Sequence, residues 1–241
     1  MDNIRIDDLQ INNLKLIQDK NLFCFGTDAV LLANFAEPKP KASVLDIGTG
    51  NCIIPILMTA KTYATSYTAL EIQEESYKLA VKNIELNKLE NIITPVHGDV
   101  NDTTLLKAGS FDYITCNPPY KPAGHGLKNP TSPLAVARHE ITLTLDSLCA
   151  RSSSLLKSKG KLAMVHKPER LAEIIYTMKK YKIEPKMLCN VHSRVGEPPC
   201  LVLIEGAKDG GVGLVHTTPI YIYDENGNYT AHINELYSKR R

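Results

Sequence analysis

Short runs rich in aliphatic and β-branched residues alternate along this chain with longer runs of helical periodicity, and that alternation most limits what it can fold into. The strand-like runs are 43–47, 67–72, 94–97, 111–116, 161–166, 186–191 and 200–205. Between them, 53–61, 74–87, 143–156 and 169–181 place apolar residues at helical spacing. Strands joined through helices run parallel, because a parallel neighbour needs a crossover and not a hairpin. Only the turn-like Ser193-Arg-Val-Gly-Glu-Pro-Pro199 separates the last two strand runs, so these are expected to pair antiparallel at one edge. The expected fold is α/β: a doubly wound, seven-stranded, mainly parallel sheet with an antiparallel edge strand. We divide the chain into an N-terminal segment 1–42, a central domain 43–205 and an extension 206–241, where Asn226-Gly227 between two β-like runs predicts a hairpin.

Several classes of protein fit poorly. No apolar run approaches the roughly 20 residues needed to span a bilayer. Residues 1–10 carry four charges and no apolar core, so neither a secretion signal nor a membrane partner is expected. Six cysteines occur without a CxxC pair or a nearby histidine cluster. That pattern argues against a bound metal and for reduced thiols in a cytoplasmic chain, which we expect to be a monomer. Net charge is only +2, but residues 1–110 hold 10 Lys/Arg against 14 Asp/Glu, whereas 111–241 hold 18 against 12. The basic second half can attract a polyanion. The strongest basic stretch, 157–186, includes Lys179 and Lys180.

Val44-Leu-Asp-Ile-Gly-Thr-Gly50 runs from a strand into a glycine turn and then a helix. Gly48 and Gly50 let backbone approach a ligand without a Cβ in the way. Ile53 stands where a dinucleotide site wants its third glycine, and the P-loop lysine is absent. Asp46, just before the turn, would repel a pyrophosphate and attract a cation. S-adenosylmethionine, with its sulfonium and ammonium, suits such a turn. Glu71 ends the next strand, where an acid can accept from both ribose hydroxyls, and Asp99 follows the third, where it can accept from an adenine amine. Asn51, Ile72 and Val100, beside the turn and the two acids, join the candidate cofactor set, as does Asn117 at the end of the fourth strand.

The fourth strand ends in Asn117-Pro118-Pro119-Tyr120. Two prolines make a stiff turn with carbonyls fixed in direction. An amine has two N–H donors to place; the Asn117 side-chain oxygen and the Pro118 carbonyl can accept one each, and Tyr120 can stack on the ring or amide plane. Such a site catalyses mainly by positioning, because an aryl or amide nitrogen needs no strong base to attack a sulfonium methyl in line. Residues 121–133, with Lys121 and Lys128, form a long proline- and glycine-rich loop of the kind that carries function.

In the order of Asp46-Ile-Gly-Thr-Gly50, Glu71, Asp99 and Asn117-Pro-Pro-Tyr120, the chain resembles class I S-adenosylmethionine-dependent methyltransferases that modify amino groups, with a Rossmann-like sheet. Those acting on adenine N6, on release-factor glutamine and on some rRNA guanines share the motif. Phe23-Cys-Phe-Gly-Thr-Asp-Ala-Val-Leu-Leu32, Ala137-Arg-His-Glu140 and Tyr221-Ile-Tyr-Asp-Glu-Asn-Gly-Asn-Tyr-Thr230 narrow the resemblance to the bacterial tRNA1(Val) adenine-N6 methyltransferase family. The resemblance implies tRNA as partner and the adenine next to the anticodon as acceptor. It also implies that Gly26, Thr27 and Asp28 close over the cofactor and that Arg138 and His139 serve RNA or structure. An unpaired loop base suits the physics, since it avoids much of the cost of extrusion from a duplex. The alternatives are a protein-glutamine N5-methyltransferase acting on a release factor, another rRNA or DNA amino-methyltransferase, and a non-catalytic scaffold. Only about 42 residues precede the first strand, too few for the helical domain with which glutamine enzymes grip their substrate.

Overall fold

The computed structural model describes residues 3–22, 24–118 and 143–238. An N-terminal ribbon pairs β1 (Ile4–Asp8) with β2 (Lys15–Asp19), and α1 (Thr27–Phe35) follows. Then come β3 (Ser43–Ile47), α2 (Ile53–Lys61), β4 (Ser66–Glu71), α3 (Glu74–Leu86), β5 (Ile93–His97) and β6 (Phe111–Cys116). Beyond residue 142 lie α4 (Leu145–Leu155), β7 (Leu156–His166), a 3-10 turn (Pro168–Arg170), α5 (Leu171–Lys180), β8 (Ile183–His192) and β9 (Pro199–Lys208). Two-residue strands β10 (Val215–His216) and β11 (Ile220–Tyr221) precede α6 (Ala231–Ser238).

The main sheet has the order β8-β9-β7-β6-β3-β4-β5, with β10 and β11 alongside β8. The expected seven strands are there, and β8 and β9 form the expected antiparallel pair toward one edge. From β7 to β5 every pairing is parallel. Helices cover both faces, so a strand such as β3 is apolar nearly throughout. Successive side chains alternate between those faces. Val44 packs with α1, α2 and α3, while Leu45 and Ile47 pack with α4 and α5. Asp46 shares the direction of Val44.

The chain builds β3, β4 and β5 outward in one direction, then returns to place β6 on the other side of β3. Crossovers leave β3 and β6 on opposite faces, and the crevice between their carboxyl ends is where open α/β sheets bind ligands. Ile47 stands opposite both Leu70 and Cys116, so the glycine turn and Asn117 leave the sheet at one level.

Among the elements that escaped the sequence reading are the ribbon, α1 and α6. The ribbon is largely exposed on β1, which blurs its alternation. Its edge is held by two side chains, one in α3 and one at its carboxyl-terminal cap, that act as strand rungs. Asn87 accepts from Lys15 N (2.8 Å) and donates to Lys15 O (2.7 Å), and Asn83 does the same for Ile17 at 2.6 and 3.0 Å. At Asn226-Gly227, where a hairpin was expected, the chain makes a tight turn with a single antiparallel bridge, Tyr223 to Tyr229. It then enters α6, with Thr230 Oγ1 accepting from Ile233 N. The α6 helix docks through the buried Lys61, whose ammonium donates to Leu236 O at 2.6 Å, and through Asn34.

Candidate active site

The glycine turn is strung between two strands. Gly48 N and Thr49 N both donate to Leu70 O, and Gly50 N donates to Glu71 Oε2 at 2.9 Å. Gly48 (φ 71°) and Gly50 (φ 58°) lie in the left-handed region, where a side chain costs roughly 1–2 kcal/mol. A Cβ at either would meet nothing within 4 Å, so the turn faces open space. Cys52, also left-handed at φ 69°, starts α2.

Asp46 is 1% exposed beneath this turn. Its Oδ1 accepts from the Thr115 hydroxyl of β6 at 2.7 Å. Burial pushes its carboxyl up to about 7; the Thr115 and Thr49 hydroxyls oppose this and the Glu71 carboxylate adds to it. Thr49 stands near Asp46 without a well-formed hydrogen bond. Asp46 Oδ2, Thr49 Oγ1 and Asn51 Nδ2 are buried with no hydrogen-bond partner among the described residues. Buried polar atoms are normally paired. Unpaired acceptors and a donor around an open glycine turn fit a ligand with a cationic, polar head.

Glu71 braces the turn as well as offering itself to a ligand: Oε1 accepts from Gln73 N (2.8 Å) and Oε2 from Gly50 N. A carboxylate can accept more bonds than these two. A cleft beside it is lined by Ile47, Gly48, Leu70, Ile72, Gly98, Asp99, Val100 and Leu143. It is apolar with one acid at its rim, as a flat purine requires. Asp99 Oδ1 holds Asn101 N at 2.8 Å, and Arg151 of α4 donates to Val100 O at 2.7 Å, fixing the loop after β5.

On the other side of β3, Asn117 Nδ2 donates to Asp28 Oδ2 at 3.2 Å. The carboxylate sets the orientation of the amide, since an oxygen turned toward it would be repelled. Asn117 therefore presents Oδ1 away from Asp28 as an acceptor. Asp28 lies in the first turn of α1, where Oδ1 also accepts from Ala29 N. A Cβ at Gly26 would stand 2.9 Å from Asp28 Oδ1, so a side chain there would displace that carboxylate. Tyr237 of α6 stands near Thr27.

The cofactor candidates on β3, β4 and β5 thus come to one crevice, with Asp28 beside Asn117 and Pro118 buried next to it. Pro119, Tyr120, Lys121, Lys128, Arg138 and His139 lie outside the described residues, as do residues 239–241. Lys179 and Lys180 are not brought to this crevice. They end α5 just before β8 begins, at the amino end of the strands, and pair with Glu184 and Asp146. Sequence reading missed Thr115, Gln18 and Asn83. Thr115 sits two residues before Asn117, so it shares its face of β6; that was the one available signal.

An open sheet with this strand order, its glycine turn and its crevice suits a protein that binds a nucleoside-type ligand at the carboxyl ends of its strands. The sequence profile of the methyltransferase small domain family matches residues 13–181. A tRNA1(Val) (adenine(37)-N6)-methyltransferase of Glaesserella parasuis is 28% identical over 88% of this chain and 87% of its own. Its counterpart in Porphyromonas gingivalis is 30% identical over 75% and 72%. The crystal structure of a predicted O-methyltransferase from Agrobacterium tumefaciens matches with a TM-score of 0.69 at 20% identity, over 89% of this chain and 98% of that one. The chain belongs to the methyltransferase small domain family. Among the described residues no helix is long and apolar enough to cross a membrane, and no cluster suited to a metal ion occurs.

Proposed function

We propose that this chain methylates the exocyclic N6 amine of an adenine in tRNA, next to the anticodon, in the cytoplasm. The relatives from Glaesserella parasuis and Porphyromonas gingivalis carry adenine-N6 methylation of tRNA in their names. The observation that carries the chemistry is the Asp28–Asn117 contact beside the glycine turn. Asn117 Oδ1 and the Pro118 carbonyl accept the two N–H donors of the amine and direct its lone pair. When bound, S-adenosylmethionine supplies the electrophilic methyl, which the nitrogen takes in line as the carbon–sulfur bond breaks. The methylated nitrogen then releases a proton to solvent. Asp46, Thr49 and Asn51 hold the amino-acid end of the cofactor, Glu71 the ribose, and Asp99 with Ile72 and Val100 the adenine. Gly26, Thr27 and Asp28, at the end of the N-terminal segment, brace the acceptor side. Pro119 and Tyr120, which follow in the sequence, are assigned to the acceptor side, Tyr120 as the ring that would stack on the target base.

The test is methyl transfer from labelled S-adenosylmethionine to unmodified total tRNA, with release factor in a parallel tube, followed by nucleoside and peptide mass analysis. N6-methyladenosine at the position beside the anticodon is expected. N5-methylglutamine in the release factor, without tRNA labelling, would replace this reading with the protein-substrate one.

A further inference from the structure

Asn83 on α3 touches two separate parts of the molecule. It is fully buried. Its Oδ1 accepts from Ile17 N at 2.6 Å, and its Nδ2 donates both to Ile17 O and to Asn51 O, each at 3.0 Å. Both amide protons and the oxygen are thus engaged, one proton on the cofactor turn and the rest on β2. Only an asparagine fits: an aspartate lacks the donors, and an alanine would leave the Ile17 and Asn51 backbone groups without this partner. The next residue of β2, Gln18, is also fully buried and accepts from Phe25 N at 3.1 Å, which leads into Gly26 and Asp28. One strand therefore connects the cofactor turn to the brace of Asn117.

We infer that Asn83 is a positioning residue that couples the N-terminal ribbon to the cofactor turn through the Asn51 carbonyl. The inference rests on the reading of residues 48–51 as the cofactor site. Asn51 presents its unpartnered Nδ2 from the same backbone that Asn83 fixes, so a turn freed from Asn83 has to be reordered when the cofactor binds. A built-in control exists. Asn87, one helical turn along, makes the same paired contact with Lys15, donates also to the Asn83 backbone carbonyl, and is not bonded to the turn.

The experiment measures S-adenosylmethionine dissociation constants by calorimetry for wild type, Asn83→Ala and Asn87→Ala, together with each protein's urea midpoint. Both variants are expected to lose stability, but only Asn83→Ala should weaken the cofactor, by about tenfold, the ratio that one lost hydrogen bond of ordinary strength allows. Asn87→Ala should stay within about twofold, which is less than half a hydrogen bond on the same scale. Equal weakening in both variants, in step with lost stability, would overturn the proposal, as would an unchanged constant in Asn83→Ala. Should Asn83→Ala fail to fold, amide exchange on the wild type decides. Cofactor is expected to slow exchange at Ile17 N–H, and unchanged exchange there would overturn the coupling. A wild-type chain that binds no cofactor would remove the site reading and the proposal with it.

Discussion

Replacing Asp28 with alanine tests the acceptor side most directly. The Asn117–Asp28 bond joins an amide to a carboxylate, a type worth roughly 1.5–3 kcal/mol when well made. At 3.2 Å it is longer than a strong charge-assisted bond, and Asp28 is only half-buried, so the lower end applies, about 1.5 kcal/mol. Freed of it, the Asn117 amide can rotate and offer a donor where the acceptor amine needs an oxygen. That is a loss of positioning, expected in kcat/KM for RNA at about tenfold, since 1.4 kcal/mol is a factor of ten. Stability should fall less. Asp28 also serves the amino end of α1, worth about 0.3–1 kcal/mol, or only a few degrees in Tm. Asp28→Asn keeps an oxygen for Asn117 and should lose less than about threefold, because a neutral bond replaces a charged one. The assay pairs steady-state tRNA methylation with calorimetric cofactor binding. If Asp28→Ala weakened the cofactor tenfold and kcat/KM fell only in proportion, Asp28 would be a cofactor ligand and the bracing of Asn117 incidental.

Other outcomes follow from the same geometry. Asp46 has a folded pKa near 7 against 3.8 for an ordinary aspartate. The folded state thus holds that proton more tightly, so its stabilising effect is full below about pH 4 and is lost as pH rises toward 7, on the order of 4 kcal/mol in all. Urea midpoints across that window should fall for the cofactor-free wild type and flatten in Asp46→Asn. Because a cation beside Asp46 favours its charged form, cofactor binding near pH 6 should release a proton in the wild type and not in Asp46→Asn. Calorimetry in two buffers of different ionisation enthalpy reads that release. Gly48→Ala should cost about 1–2 kcal/mol in the free protein for its left-handed backbone. Its methyl group points into the open space of the turn, so the cofactor constant should rise by more than that strain accounts for; an unaltered constant would move the ligand away from Gly48. Lys179→Glu should leave the KM for tRNA within about twofold, as expected of a surface ion pair worth under 1 kcal/mol at the far end of the sheet.

The sequence by itself determined the frame of this protein. The alternation of strand and helix periods, the glycines at 48 and 50, and acids at or just past strand ends are local patterns, and in a parallel sheet every strand ends on the same side. Reading strand ends therefore amounts to reading the candidate site, and the placement of Asp46, Glu71, Asp99 and Asn117 around one crevice was legible for that reason. What only the tertiary structure decided are pairings of single polar groups far apart in the chain. Asn117 meets Asp28 across 89 residues, Thr115 meets Asp46 across 69, and Asn83 meets Ile17 across 66. Lys61 anchors α6 across 175 residues, just past the turn where local chemistry had suggested a hairpin, and Lys179, singled out by charge density alone, ends α5 paired with Glu184. Hydrophobic periodicity repeats and so announces itself. A hydrogen bond between two distant side chains occurs once, has no period, and exists only when packing has already brought its partners together.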